Sequence, residues 1–145
     1  MKLFTIGVSK KSAESFFALL KENRVEKIID IRLKNKSQLL GFAKGPDLKY
    51  FSEECHHIKY EHLPLFAPTE ELLKKYKKDK DWLSYEAEFL KILDSRPIVD
   101  GFQKTRKGSK NICLLCSEPK PEKCHRRLVA EYVAILNSKI KIIHL

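Results

Sequence analysis

Ile28, Ile29 and Ile31 form a β-branched run with no alternating polar face. A run of this kind suits a strand buried on both sides, which in soluble domains means a parallel sheet covered by helices above and below. Lys27 to Arg32 therefore reads as a strand. Upstream, Leu3 to Ile6 is a short apolar run closed by Gly7. Ser12 then stands where it can cap a helix whose inner face carries Phe16, Phe17, Leu19 and Leu20. Strand, helix and strand in so short a stretch require a crossover connection, and a crossover makes the two strands parallel.

The same pattern closes the chain, with Ile112 to Ser117 as a strand, Cys124 to Asn137 as a helix and Ile140 to His144 as a last strand. Between the two ends, Gly45-Pro46 opens a helix through Leu48, Phe51 and Cys55, since proline suits the first helical position. Lys59 to Leu63 reads as a further strand, and Pro64 and Pro68 force a break after it. Thr69 caps a helix through Tyr76, and Asp81 caps another with Trp82, Tyr85, Phe89 and Leu93 at helical spacing. Those aromatics are assigned to core or interface packing rather than to a cofactor site. Ile98 to Arg106 reads as one more helix. Alternation at both ends predicts a single three-layer α/β domain over residues 1–145 with a mostly parallel sheet.

Composition narrows the function classes. No stretch approaches the roughly 18 apolar residues that span a bilayer, and Met1 to Gly7 lacks the features of a signal peptide, so the expected address is the cytoplasm. Cys55, Cys113, Cys116 and Cys124 are then expected as free thiols, reactive groups or metal ligands rather than as a disulfide framework. The net charge of +10 permits contact with nucleic acid, acidic lipid or an anionic small molecule. Much of that charge is lysine scattered over faces expected to be solvated.

The reactive residues collect where open parallel sheets bind ligands, beyond the carboxyl ends of the strands. Ser9 follows the first strand. Asp30 and Arg32 close the second, and period two puts them on one face. Cys116, Ser117 and Glu118 end the strand before the last helix, which Cys124, His125 and Arg126 then open. On that helix His125 shares a face with Leu128, Val129 and Tyr132, and Arg126 with Val129 and Val133, so both lean toward the sheet. Arg127, Ala130, Glu131 and Ala134 fall on the expected solvent side. Buried cations need partners, and Asp30 and Glu118 are the available carboxylates. A helix N-terminus with arginine nearby suits an anion and lowers the pKa of a thiol, which makes Cys124 a reactive candidate. In the plainer alternative, Asp30, Arg32, Glu118 and Arg126 form a structural ion-pair network.

Other polar residues carry less. Cys113 lies on the opposite strand face from Cys116, so the two are not a metal or redox pair, and Cys113 and Cys55 are assigned to the core. His56, His57 and His144 read as surface or packing residues, whereas His62, at a strand end, stays a candidate for substrate binding. Cys116, Cys124 and His125 offer zinc-type ligands, but adjacent Cys124 and His125 are awkward for one tetrahedral ion, and no metal is assigned.

At these residues the chain resembles the family known as domain of unknown function 488. Thr5-Ile6-Gly7-Val8-Ser9 is similar to its opening strand and serine, and Asp30-Ile31-Arg32 to its second-strand signature. Leu115-Cys116-Ser117-Glu118 followed by Cys124-His125-Arg126 is similar to its most specific motif. The order holds over essentially the whole chain. Where many members carry a glycine pair after the segment matching Tyr60 to Leu63, this chain has Leu65-Phe66-Ala67-Pro68. The resemblance implies an α/β fold and brings no established reaction. A fainter similarity in element order is to rhodanese-like domains. Seven residues separate Cys116 from Cys124 in place of their short loop, and Glu122 stands where a phosphatase-type arginine would.

Two functions compete. In one, the domain is an enzyme on an anionic or nucleotide-like substrate, with Cys116 or Cys124 as nucleophile, His125 as acid/base, Arg32 and Arg126 as anion clamp, and Glu118 and Asp30 orienting the cations. In the other, it is a nucleic-acid- or protein-binding module. There Lys74, Lys75, Lys77, Lys78 and Lys80, with Lys104, Arg106, Lys107 and Lys110, contact phosphates.

Overall fold

The computed structural model describes all 145 residues. Five strands, β1 (Lys2–Gly7), β2 (Lys27–Asp30), β3 (Lys59–His62), β4 (Asn111–Cys116) and β5 (Lys141–His144), form one sheet in the order β3-β2-β4-β1-β5. Every neighbouring pair is parallel, so the sheet is more uniform than the sequence requires. The helices are α1 (Ala13–Glu22), α2 (Gly45–Tyr50), α3 (Glu70–Asp79), α4 (Trp82–Asp94), α5 (Ile98–Thr105) and α6 (His125–Ile135). Ser12, Thr69 and Asp81 cap α1, α3 and α4 through their side-chain oxygens.

Strand alternation divides the core into two layers. Leu3, Ile29, Ile112 and Leu114 face α3 to α6 and pack with Phe66, Phe89, Phe102, Leu128 and Val129. Phe4, Ile6, Ile28, Cys113 and Leu115 face α1 and α2 and pack with Phe16, Phe17, Leu20 and Leu48. The chain steps one way across the sheet from β1 to β2 to β3, and back the other way from β3 to β4 to β5. Crossovers of one hand then put α1 and α2 on one face and α3 to α6 on the other. The chain leaves β1 and β4, which are neighbours, in opposite directions, and between such loops an open α/β sheet has its crevice.

Four local expectations are corrected. The second strand ends at Asp30, and Arg32 lies beyond it. The helix opened by Gly45-Pro46 is short and widens into a π-helical turn over Phe51–Cys55, which leaves Cys55 exposed rather than in the core. Ala130 is fully buried, not on the solvent side, because α6 is wedged between the sheet, α4 and α5. The aromatics of α4 are only partly core, as the pocket described below shows. No helix is long and apolar enough to cross a membrane.

Candidate functional site

Cys116 reaches the site by register. It shares a strand face with Ile112 and Leu114, so its thiol points to the α4 and α6 side at the carboxyl end of β4. The β1–β4 ladder runs on past the strands, with the Val8 N–H bonded to the Cys116 carbonyl and the Ser9 N–H to that of Ser117, both at 3.0 Å. The contribution of Ser9 is thus its main chain, and its side chain does not line the pocket. Cys124 is the N-cap of α6 in an extended conformation, while His125 is the first helical residue. That change of backbone direction lets successive side chains turn into one space.

Cys116, Cys124 and His125 are all buried. Their two sulfurs and a ring nitrogen lie within 4.8 Å of one another, so sequence adjacency does not keep Cys124 and His125 apart. The Cys116 sulfur is 3.4 Å from His125 Nδ1 and 3.8 Å from Nε2. Nε2 in turn is 2.9 Å from the carbonyl oxygen of Ile31. A carbonyl only accepts, so Nε2 carries a proton there, and Nδ1 is the ring nitrogen left facing the Cys116 sulfur. Phe89 packs edge-on against the imidazole.

The two thiols are driven apart in acidity. Cys124 beside it, the main-chain N–H groups of Glu118 and Ser117, and the Arg126 charge all favour the anion at Cys116. These outweigh burial and hold the Cys116 thiol below its ordinary value. The neighbouring Cys116 sulfur, together with burial, pushes the Cys124 thiol far up. Burial does the same to Cys113 on the other face. The sequence points to Cys124 as the activated thiol at the helix N-terminus, and here the geometry favours Cys116 instead.

Arg126 is fully buried, yet none of the ion pairs in the chain includes it. It donates to the main-chain carbonyls of Glu118 and Pro119, to Thr5 Oγ1 at 3.3 Å and to the Cys124 sulfur at 3.5 Å. Neither Asp30 nor Glu118 supplies the expected carboxylate. The Glu118 side chain is exposed, and its carbonyl is what Arg126 uses. Gly7 makes this approach possible, because a Cβ there would lie 1.7 Å from that carbonyl oxygen.

Asp30 faces the α1 and α2 side, away from Cys116. It accepts from the Arg32 main-chain N–H (3.1 Å), Nε (2.9 Å) and Nη2 (2.7 Å), from Asn35 Nδ2 (3.0 Å) and from the Tyr60 hydroxyl (2.5 Å). Burial raises its pKa, but these bonds more than offset that and hold the carboxyl below its usual range. The structural ion pair of the plainer alternative therefore exists for Asp30 and Arg32, without Glu118 or Arg126. His62 Nε2 lies 2.7 Å from the Arg32 carbonyl, which orients the segment rather than the pocket. One guanidinium nitrogen, Arg32 Nη1, is buried with no partner.

A pocket of about 220 Å³ opens beside the thiols. Arg32, Leu33, Lys34, Ser117, Glu118 and Lys123 stand around it with Cys116, Cys124 and His125. Its other wall is Pro68, Leu73, Tyr76, Trp82 and Tyr85. Trp82 stacks on Tyr85 at 5.1 Å, Tyr76 meets Trp82 edge-on at 5.8 Å, and Arg127 sits over the indole at 5.9 Å. Sequence reasoning missed this wall, as well as Lys34 and Lys123. The signal was Trp82 in the first turn of a capped helix, with Tyr85 one turn on. Asp30, His62, Ser9 and Arg126 do not line the pocket, so the predicted residues divide into a thiol–imidazole group and a supporting shell.

Neither a curated protein nor a solved structure matches the chain. A family model described as domain of unknown function DUF488 matches residues 12–133. That span covers well over half of the chain and takes in the Asp30, Cys116 and Cys124 motifs, leaving β1 with Ser9 and the segment from residue 134 through β5 outside, and the chain belongs to the DUF488 family.

Proposed function

We propose that the pocket is an active site in which the Cys116 thiolate attacks an electrophilic centre of an anionic substrate. The observation that carries this reading is Arg126, a fully buried guanidinium with no carboxylate. An uncompensated buried charge is costly by several kcal/mol, and the Cys116 thiolate is the anion this site can offer it. Sulfur forms its bond as the leaving group departs with the electron pair of the broken bond. Water then releases the covalent adduct, its proton passing to Nδ1 of His125.

Arg32 Nη1, Lys34 and Lys123 attract the anionic part of the substrate, and the Trp82 wall receives its apolar part. Asp30 positions Arg32 by holding its other two guanidinium nitrogens. Ser9 acts through its main-chain N–H on the Ser117 carbonyl, and His62 through its imidazole on the Arg32 carbonyl. Glu118 contributes its N–H and carbonyl rather than its carboxylate.

The test is the alkylation rate of each cysteine against pH, mapped by mass spectrometry on the native protein in chelator. Cys116 is expected to titrate below an ordinary thiol, and Cys113 and Cys124 to stay unreactive near neutrality. A Cys116 midpoint equal to that of free cysteine overturns the reading.

The exposed lysines of α3, including Lys74, Lys77 and Lys78, support a second reading as a nucleic-acid-binding module. Binding that weakens steeply with salt and follows those lysines, with Cys116 unreactive, is the result that favours it.

A further inference from the structure

We infer that Cys116, Cys124 and His125 form a three-ligand site for a soft divalent cation of the zinc type, with its fourth position open to the pocket. The inference goes beyond the proposed reaction, because it holds whether or not Cys116 ever attacks a substrate.

The donor set comes first. Two sulfurs and an imidazole nitrogen within 4.8 Å suit zinc or cobalt and do not suit the oxygen-seeking magnesium or calcium. A tetrahedral ion with metal–sulfur distances of about 2.3 Å and metal–nitrogen distances of about 2.0 Å separates its ligand atoms by roughly 3.5 to 3.8 Å. The 3.4 Å between Cys116 Sγ and His125 Nδ1 is already close to that span.

The surroundings agree. Metal-bound histidines usually donate their other ring N–H to a carbonyl or carboxylate, which fixes the tautomer and the ring. His125 already has that partner in the Ile31 carbonyl, and Nδ1 is the nitrogen left over. Arg126 Nη1 donates to the Cys124 sulfur, as a thiolate ligand requires. The three ligands sit on a strand end, an N-cap and a first helical turn, all rigid positions. All three also line the pocket, from which a fourth ligand can enter.

Charge fixes the class of that fourth ligand. Two thiolates balance a divalent ion, and buried Arg126 leaves one positive charge over, so an anion entering past Arg32 completes the site. The metal and an electrophile would compete for the same sulfur. Metal binding therefore turns the thiol chemistry off, reversibly.

The experiment adds Co²⁺ to the full-length, metal-free protein, follows its absorption, and then displaces it with Zn²⁺. One equivalent is expected to give tetrahedral bands with sulfur-to-cobalt charge transfer, bleached by Zn²⁺. Cys116→Ser and Cys124→Ser should each lose about half of the charge-transfer intensity, since each removes one of two thiolates. Cys55→Ser should lose none. In case the serine variants fold poorly, a second measurement uses the unaltered protein, where Zn²⁺ should protect Cys116 from alkylation and leave Cys55 reactive. Absence of a charge-transfer band with Co²⁺ in excess, a band that survives both serine substitutions, or unprotected Cys116 overturns the site. Failure here is distinct from failure of the proposed reaction, which is read in chelator. A depressed Cys116 midpoint without cobalt bands removes the metal and keeps the nucleophile, and cobalt bands with an ordinary midpoint do the reverse.

Discussion

Replacing Cys124 with alanine removes the thiol donor that contributes most to holding the Cys116 acidity down, and leaves the Glu118 and Ser117 N–H groups in place. A hydrogen bond to a charged acceptor contributes roughly 1.5 kcal/mol or more, and a thiol is a weak donor, so about 1 kcal/mol is the working figure. At 1.36 kcal/mol per pKa unit, the Cys116 midpoint should rise by a little under one unit, roughly. At pH below the midpoint that means about a fivefold smaller thiolate fraction. Cys124→Ser keeps a hydroxyl donor at the same place and should hold the midpoint near its original position. The assay is peptide-mapped alkylation of Cys116 over a pH series. The midpoint is compared rather than the absolute rate, because alanine also opens access to a residue that is only 5% exposed. Equal midpoints in all three proteins would show that the sulfur–sulfur contact does not set the acidity of Cys116, and the thiolate argument would lose its main support.

Other consequences are measured by denaturation. Gly7→Ala places a methyl group against the Glu118 main chain, which cannot rotate away as a flexible side chain would. About 1–3 kcal/mol of destabilisation is expected in urea, with a raised Cys116 midpoint as the Glu118 N–H moves. Unchanged stability would mean that the 117–123 loop yields freely. Asp30→Asn breaks a buried pair from one side and should cost about 3–5 kcal/mol, whereas Lys34→Ala, which breaks an exposed pair with Glu70, should leave the urea midpoint unchanged. Because the Asp30 pKa is depressed on folding, its stabilisation is complete above the ordinary carboxylate value of about 3.9. It is lost as pH falls through the lower folded value, so the Asp30→Asn protein should show a flatter acid limb. Phe89→Ala should cost about 3–5 kcal/mol by leaving a cavity against His125. A loss under ~1 kcal/mol would mean that the site collapses around it.

The elements that were legible in the sequence are those whose signals are local. Ile28, Ile29 and Ile31 announce a two-sided strand because a β-branched run has no other comfortable setting, and Ser12, Thr69 and Asp81 announce helix starts because their side chains close nearby N–H groups. Cys55 was misplaced for the converse reason. The turn from α2 into Phe51–Cys55 adds a residue to the helical repeat, and face assignments that hold for a regular helix slip there. Ala130 was misplaced because a helix gripped by a sheet and two helices has more than one buried face.

The site was half legible for a subtler reason. Residue types reveal which side chains can pair, and on that basis Asp30 was rightly joined to Arg32 and wrongly offered, with Glu118, to Arg126. The real partners of Arg126 are main-chain carbonyls of residues 118 and 119, a threonine hydroxyl and a cysteine sulfur. Carbonyl partners have no signature in sequence, since every residue carries one. The signature lies instead in Gly7, the residue that lets the Glu118 carbonyl come close enough to be used. The two buried arginines thus separate the two halves of the site. Arg32 has a carboxylate and one unpartnered nitrogen, which equips it to receive an anion. Arg126 has no carboxylate, so the negative charge it requires falls to the thiols beside it, whether as a lone thiolate or as a pair that a metal ion holds together.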